Sequence, residues 1–98
     1  MAQIVWTQPA LAALDAIADH IALDNLEADQ RLVKHVFSSV EQLGRFPSSG
    51  SRVPELPKSV YRQLIVRPCR IFYRHEENQV FITYVMRAER LFRKEFLD

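Results

Sequence analysis

Three runs in the second half of the chain, "VYRQLIV" (60–66), "CRIFYRH" (69–75) and "VFITYVM" (80–86), are rich in β-branched and aromatic residues. Only short polar connections, Arg67-Pro68 and Glu76-Glu77-Asn78, separate them. A parallel pair needs a crossover of a dozen or more residues, so connections this short force neighbouring strands to run antiparallel. The expectation is a β-meander, and every other element has to pack around it. Alternation assigns its faces. Arg62, Leu64 and Val66 share one side and Tyr61, Gln63 and Ile65 the other, while Cys69, Ile71 and Tyr73 lie opposite Arg70, Phe72 and Arg74. The last run places apolar groups on both sides, as a strand in the middle of a sheet does.

A sheet with an apolar face needs a cover, and the first 44 residues supply it. "QIVW" before Thr7 reads as a first strand. Thr7 can cap a helix that tolerates Pro9 in its first turn, where amides have no intrahelical partner. Leu11, Leu14, Ala18 and Ile21 then recur at helical spacing. After a break near "LDN", Asp24 and Glu27 are spaced as a capping box. The second helix carries Leu32, Val33, Val36, Phe37, Val40 and Leu43 on its apolar stripe, and Gly44 is expected to end it in a left-handed conformation.

"RFPSSGSRVPELPKS" holds three prolines, one glycine and four serines and reads as a loop. The tail "RAERLFRKEFLD" suits either a short helix or an extension. The expected fold class is therefore α+β. An N-terminal strand and a two-helix hairpin pack on a three- to four-stranded antiparallel sheet, followed by a short C-terminal helix or extension. Ninety-eight residues fit one domain, 1–98.

Composition narrows the function. A 48% hydrophobic and 26% charged chain without an apolar run of about 20 residues is not expected to cross a membrane. The N-terminus has no basic and apolar leader pattern, which points to the cytoplasm. One cysteine, Cys69, excludes an internal disulfide and a cysteine-based zinc site, and the three histidines lack metal-ligand spacing, so neither metal nor cofactor is expected.

The net charge of +1 conceals an asymmetry. Residues 1 to 44 hold two basic and six acidic side chains, net −4, and residues 45 to 98 hold eleven and six, net +5. Within the basic half, Arg62, Arg70, Arg74, Arg87 and Arg90 come from the sheet or its exit and keep company with Tyr and Phe. A concave basic and aromatic surface would suit RNA, or an acidic protein segment. The plainer alternative is a wet sheet face where arginine stems cover apolar neighbours.

The order of elements and the wording of residues 62–74, "R-x-L-I-V-x-x-x-R-I-F-Y-R", with "V-M-R-A-E-R" at 85–90, resemble the RelE/ParE superfamily of bacterial toxin–antitoxin toxins. The resemblance implies one of two activities. RelE-like members cut messenger RNA on the ribosome, and ParE-like members inhibit DNA gyrase.

Metal-free RNA cleavage needs a base, an acid and charge stabilisation. Arg70 matches the family's strand arginine, and Arg87 or Arg90 the arginine after the last long strand. Lys58 stands alone where an RNase of this type carries several basic residues, and Phe92 and Phe96 occupy the C-terminal places where that chemistry uses Tyr or His. His75, beside Glu76, reads as an exposed strand end. Cys69 reads as a small buried residue, and no catalytic residue is assigned.

The reading is thus a ParE-like gyrase inhibitor that acts by binding. Its expected target-contact residues are Arg62, Arg70, Arg74, Arg87 and Arg90, with Arg93 and Lys94 adding to the C-terminal contact. A cognate antitoxin is the implied partner. Leu91, Phe92, Arg93 and Phe96 are its candidate contacts, unless the apolar ones simply pack on the domain's own core. The alternatives are a ribosome-dependent mRNA endoribonuclease and a non-toxic relative that retains only antitoxin binding.

Overall fold

The computed structural model describes residues 1–97; Asp98, the last residue of the expected C-terminal segment, lies outside them. The elements run β1 (Gln3–Trp6), α1 (Gln8–Ala22), α2 (Leu26–Glu41), a 3-10 turn (Gln42–Gly44), β2 (Ser51–Arg52), β3 (Arg62–Val66), β4 (Cys69–Glu76), β5 (Gln79–Arg87) and a 3-10 turn (Lys94–Leu97). The strands form one five-stranded sheet in the order β1-β5-β4-β3-β2.

The meander is present as β3, β4 and β5, all antiparallel. Two strands depart from expectation. β1 pairs with β5 in parallel, and α1 with α2 makes up part of the long connection that this requires. β2 is a two-residue strand inside the proline-rich segment, which aligns Ser51 and Arg52 with Gln63 and Arg62. Composition could not reveal it, because its hydrogen bonds come from β3 and not from any propensity of its own.

Local chemistry explains the helix boundaries. The Thr7 hydroxyl accepts from the Ala10 amide and donates to the Ile82 carbonyl at 2.7 Å, so one side chain both starts α1 and ties it to β5. Helix α2 is capped by Asn25 and not by Asp24: the Asn25 side chain accepts from the Ala28 amide at 3.0 Å. Gly44 is not left-handed either. It is buried in the 3-10 turn, where its carbonyl accepts from the Ala2 amide at 2.8 Å and thereby holds the start of β1.

Two apolar clusters sandwich the sheet. The first joins Ala10, Leu14, Leu32, Val36, Val40 and Leu43 to Val66, Cys69, Ile71, Tyr73, Val80, Ile82 and Val85. It is the helix-on-sheet core that the periodicity implied. Phe37 is the exception on its stripe: it is 40% exposed and lies against Trp6, with ring centroids 4.8 Å apart. The second cluster, on the opposite face, joins Val53, Phe72, Met86 and Leu97 to Leu56, Tyr61, Tyr84, Phe92 and Phe96. The 53–61 loop and the C-terminal segment therefore cover what would otherwise be a wet face, and β5 is apolar on both sides for that reason.

Tyr73 and Gly50 lock the 45–52 loop to the sheet edge. The buried Tyr73 hydroxyl donates to the Pro47 carbonyl at 2.8 Å and accepts from the Gly50 amide at 3.0 Å. Tyr73→Phe removes both bonds and strands a buried amide, so we expect a loss of about 1–3 kcal/mol, read by urea unfolding.

Candidate target-binding surface

The five sheet arginines are spread over separate places, each set by strand register. Arg62 shares its face with Leu64 and reaches back from the sheet edge to donate to the Gly50 carbonyl at 2.8 Å. Arg74 lies near the β4–β5 turn with its guanidinium carbon 4.4 Å from the Phe81 ring centroid, and its Nε donates to Glu76 at 2.7 Å. Neither lines the cleft that Arg87 and Arg90 share.

Arg70 is enclosed by partners from several elements. Its Nη1 and Nη2 donate to the two carboxylate oxygens of Glu55 at 2.8 and 2.7 Å, a bidentate pair. Nε and Nη2 also donate to Gln63 Oε1 at 3.0 and 2.7 Å. The guanidinium lies 4.9 Å from the Phe72 ring centroid and 5.7 Å from that of Phe92. Only 11% of the Arg70 side chain is exposed. The bond from Arg70 holds the Glu55 carboxyl below the usual carboxylate range, against the opposing effect of desolvation. One side chain thus joins the 53–61 loop, β3, β4 and the C-terminal segment.

Arg87 and Arg90, in contrast, come together. They line a cleft of about 210 Å³ at the exit of β5, with Tyr84 and Val85 from the strand and Ala13, Ala16, Ile17 and His20 from α1. Arg87 Nε donates to Glu89 at 2.6 Å, which holds the exposed Glu89 carboxyl below its ordinary range. Arg90 is exposed, with its guanidinium carbon 5.1 Å from the Phe96 ring centroid. Phe96 in turn stacks on Tyr84 at 4.8 Å. Among the described residues, Arg90 has no carboxylate partner.

Phe92 and Phe96 pack on the second core, whereas Leu91, at 79% exposure, and Arg93 face outward. Cys69 is buried, and burial pushes its thiol up. His75 is exposed at the end of β4, as the sequence suggested, and among the described residues no cluster of potential metal ligands occurs. No helix among them is long and apolar enough to cross a membrane.

Three neighbours of these arginines are absent from the sequence-based set. Glu55 and Gln63 meet Arg70 only through tertiary contact. His20 had a readable signal: Ala13, Ala16, Ile17 and His20 recur at helical spacing and mark a second face of α1 beside the core stripe.

Comparison with known proteins accords with this architecture. A family model described as "ParE toxin of type II toxin-antitoxin system, parDE" matches residues 4–92. Toxin RelE2 of Caulobacter vibrioides is 34% identical over 92 residues, an alignment that covers 93% of this chain and 100% of that protein. The solved structure of the chromosomal ParDE TA system from P. aeruginosa superposes with a TM-score of 0.76 at 26% identity, covering 91% of this chain and 98% of that one. With a family match across most of its length and a relative aligned along nearly all of it, this chain belongs to the ParE toxin family of type II toxin–antitoxin systems.

Proposed function

We propose that this toxin acts by binding DNA gyrase without chemical turnover, and that a cognate antitoxin neutralises it. The observation that carries this reading is the state of the groups an RNase would use. Arg70, the strand arginine that could stabilise a phosphorane, is engaged by Glu55 and Gln63. The Tyr73 hydroxyl is buried between Pro47 and Gly50, and the Tyr61 hydroxyl donates to the Leu97 carbonyl at 2.8 Å. Phe92 and Phe96 close the neighbouring space with side chains that have no ionisable proton to give or accept. Metal-free RNA cleavage needs a free acid and a free base beside its cation, and Tyr61 and Tyr73, both engaged by backbone groups, leave Arg70 without them.

On this reading the arginines divide by role. Arg62 and Arg70 hold the fold, Arg74 makes a local surface pair with Glu76 near the β4–β5 turn, and Arg87 and Arg90 meet the target, with Arg93 and Lys94 beside them on the exposed C-terminal segment. The antitoxin contacts Leu91 and Arg93, the two outward-facing members of its candidate set.

The test is a gyrase supercoiling assay run beside a ribosome-programmed mRNA cleavage assay on the purified protein. Inhibition of supercoiling without cleavage is expected; cleavage abolished by Arg70→Ala would sink the proposal. Exchanging Arg87 and Arg90 together for alanine should weaken gyrase inhibition while changing stability by at most about 1 kcal/mol, because exposed ion pairs contribute little. Loss of folding in that double variant would make these arginines structural.

A further inference from the structure

We propose that the cleft between α1 and the exit of β5 is a carboxylate-binding site that receives one acidic side chain of a protein partner. This deepens the reading of Arg87 and Arg90 as target contacts by naming the chemistry they recognise and by adding His20 to them. Side chains from two distant parts of the sequence, His20 on α1 and Arg87 and Arg90 at the exit of β5, line one small cleft with Tyr84. None of the residues lining it is acidic. The Arg90 guanidinium carbon lies 5.1 Å from the Phe96 ring centroid, and a cation over an aromatic ring keeps N–H groups for a bidentate acceptor. Arg87 is oriented by Glu89 through Nε, so its terminal nitrogens remain open to a second acceptor.

The remaining walls decide between a carboxylate side chain and a nucleic-acid phosphate. Ala13, Ala16, Ile17 and Val85 are small and apolar, which suits the methylene stem of a glutamate and an aliphatic neighbour. A polyanion running from the cleft along its α1 wall would cross the outer surface of that helix. That helix contains no lysine or arginine and exposes Asp15 and Asp19. Repeated phosphates would be repelled there, whereas a single carboxylate seated in the cleft would reach Arg90 and the terminal nitrogens of Arg87, with Glu89 as its competitor on Arg87. The acidic hairpin thus acts as a filter that favours an acidic protein segment over a nucleic-acid strand.

The full-length protein tests this by proton NMR of its three histidine rings, with His20 assigned by His20→Gln. The probes are a blocked pentapeptide with one glutamate between leucines, its glutamine counterpart, and an oligothymidylate. The glutamate peptide should shift the His20 ring saturably and leave His35 and His75 in place, and the glutamine peptide should bind about tenfold more weakly. Arg90→Ala should cost about tenfold, the value of one charge-assisted contact. Glu89→Gln frees Arg87 from its competitor and should tighten peptide binding about threefold, a gain that misfolding cannot mimic.

No shift with any probe would overturn the proposal. So would a stronger response to the oligothymidylate, or a glutamate-peptide affinity unaltered by Arg90→Ala and Glu89→Gln. Peptide binding without gyrase inhibition would reject gyrase as the target and leave the cleft standing. Gyrase inhibition without peptide binding would do the reverse.

Discussion

Arg70→Ala should lower the free energy of unfolding by about 2–3 kcal/mol, measured by urea denaturation. Breaking a buried ion pair typically costs about 3–5 kcal/mol, but Glu55 can recover water once released because 39% of its side chain is already exposed, so the lower figure applies. Gln63, 9% exposed, has no such recourse and loses both bonds to its Oε1. The C-terminal segment should loosen at the same time, since Phe92 loses its cation.

Glu55→Gln gives the complementary result, a smaller loss because the amide oxygen can still accept one bond from Arg70. A double-mutant cycle between the two positions should return a coupling of about 1–2 kcal/mol. The pH dependence follows from the direction of the Glu55 shift. Its carboxyl is held low in the folded protein, so its contribution is fully present above the ordinary glutamate range. That contribution disappears as pH falls through the depressed folded value. In Glu55→Gln this part of the acid-side loss should be missing. If Arg70→Ala leaves both stability and its acid dependence unchanged, Arg70 is free for a target and its role in the fold is refuted.

Gly50→Ala should cost at least about 3 kcal/mol, the upper end for overpacking in a tight site. A Cβ at this position would stand 2.5 Å from the Gln63 carbonyl oxygen and 2.6 Å from the Tyr73 hydroxyl. The first of these is sheet backbone and cannot move without breaking β3. The second is the buried hydroxyl that binds the Gly50 amide, so relief of the clash would forfeit that bond as well. We expect a lowered midpoint in chemical denaturation and loss of the β2–β3 pairing by amide exchange. A variant as stable as the parent would mean that the 45–52 loop packs on the sheet less closely than described.

These two sites mark where reading from sequence stops. The meander was legible because each of its strands carries its own alternation and its connections are too short for any other arrangement. Helices α1 and α2 were legible from their apolar stripes, and Thr7 from its place before Pro9. The identity of the α2 cap was not, because Asp24 and Asn25 are both good caps and only the exit path of α1 decides which one faces the Ala28 amide.

The candidate site divides in the same way. That the second half of the chain concentrates arginine is a matter of counting. Which arginines are available depends on groups far away along the chain: Glu55 engages Arg70 and the Gly50 carbonyl engages Arg62, whereas Arg90 lies over Phe96 with no carboxylate partner among the described residues. Alternation places Arg70 on a face but is silent about the loop lying on that face. His20, on an otherwise acidic hairpin, joins the basic cleft because α1 packs along the exit of β5.

By itself, then, the sequence determined the α+β class, the order of the main elements, the antiparallel meander and the charge asymmetry between the two halves. All of these are set by short-range periodicity and composition. Only the tertiary structure decided that β1 runs parallel to β5, that the proline-rich loop contributes an edge strand, and that a second apolar cluster covers the far face of the sheet. It also decided that Arg87 and Arg90, and not Arg70, line a cleft with His20. The reason is that hydrogen-bond partners and burial are properties of pairs brought together by folding, and no residue carries its partner's address in its own type.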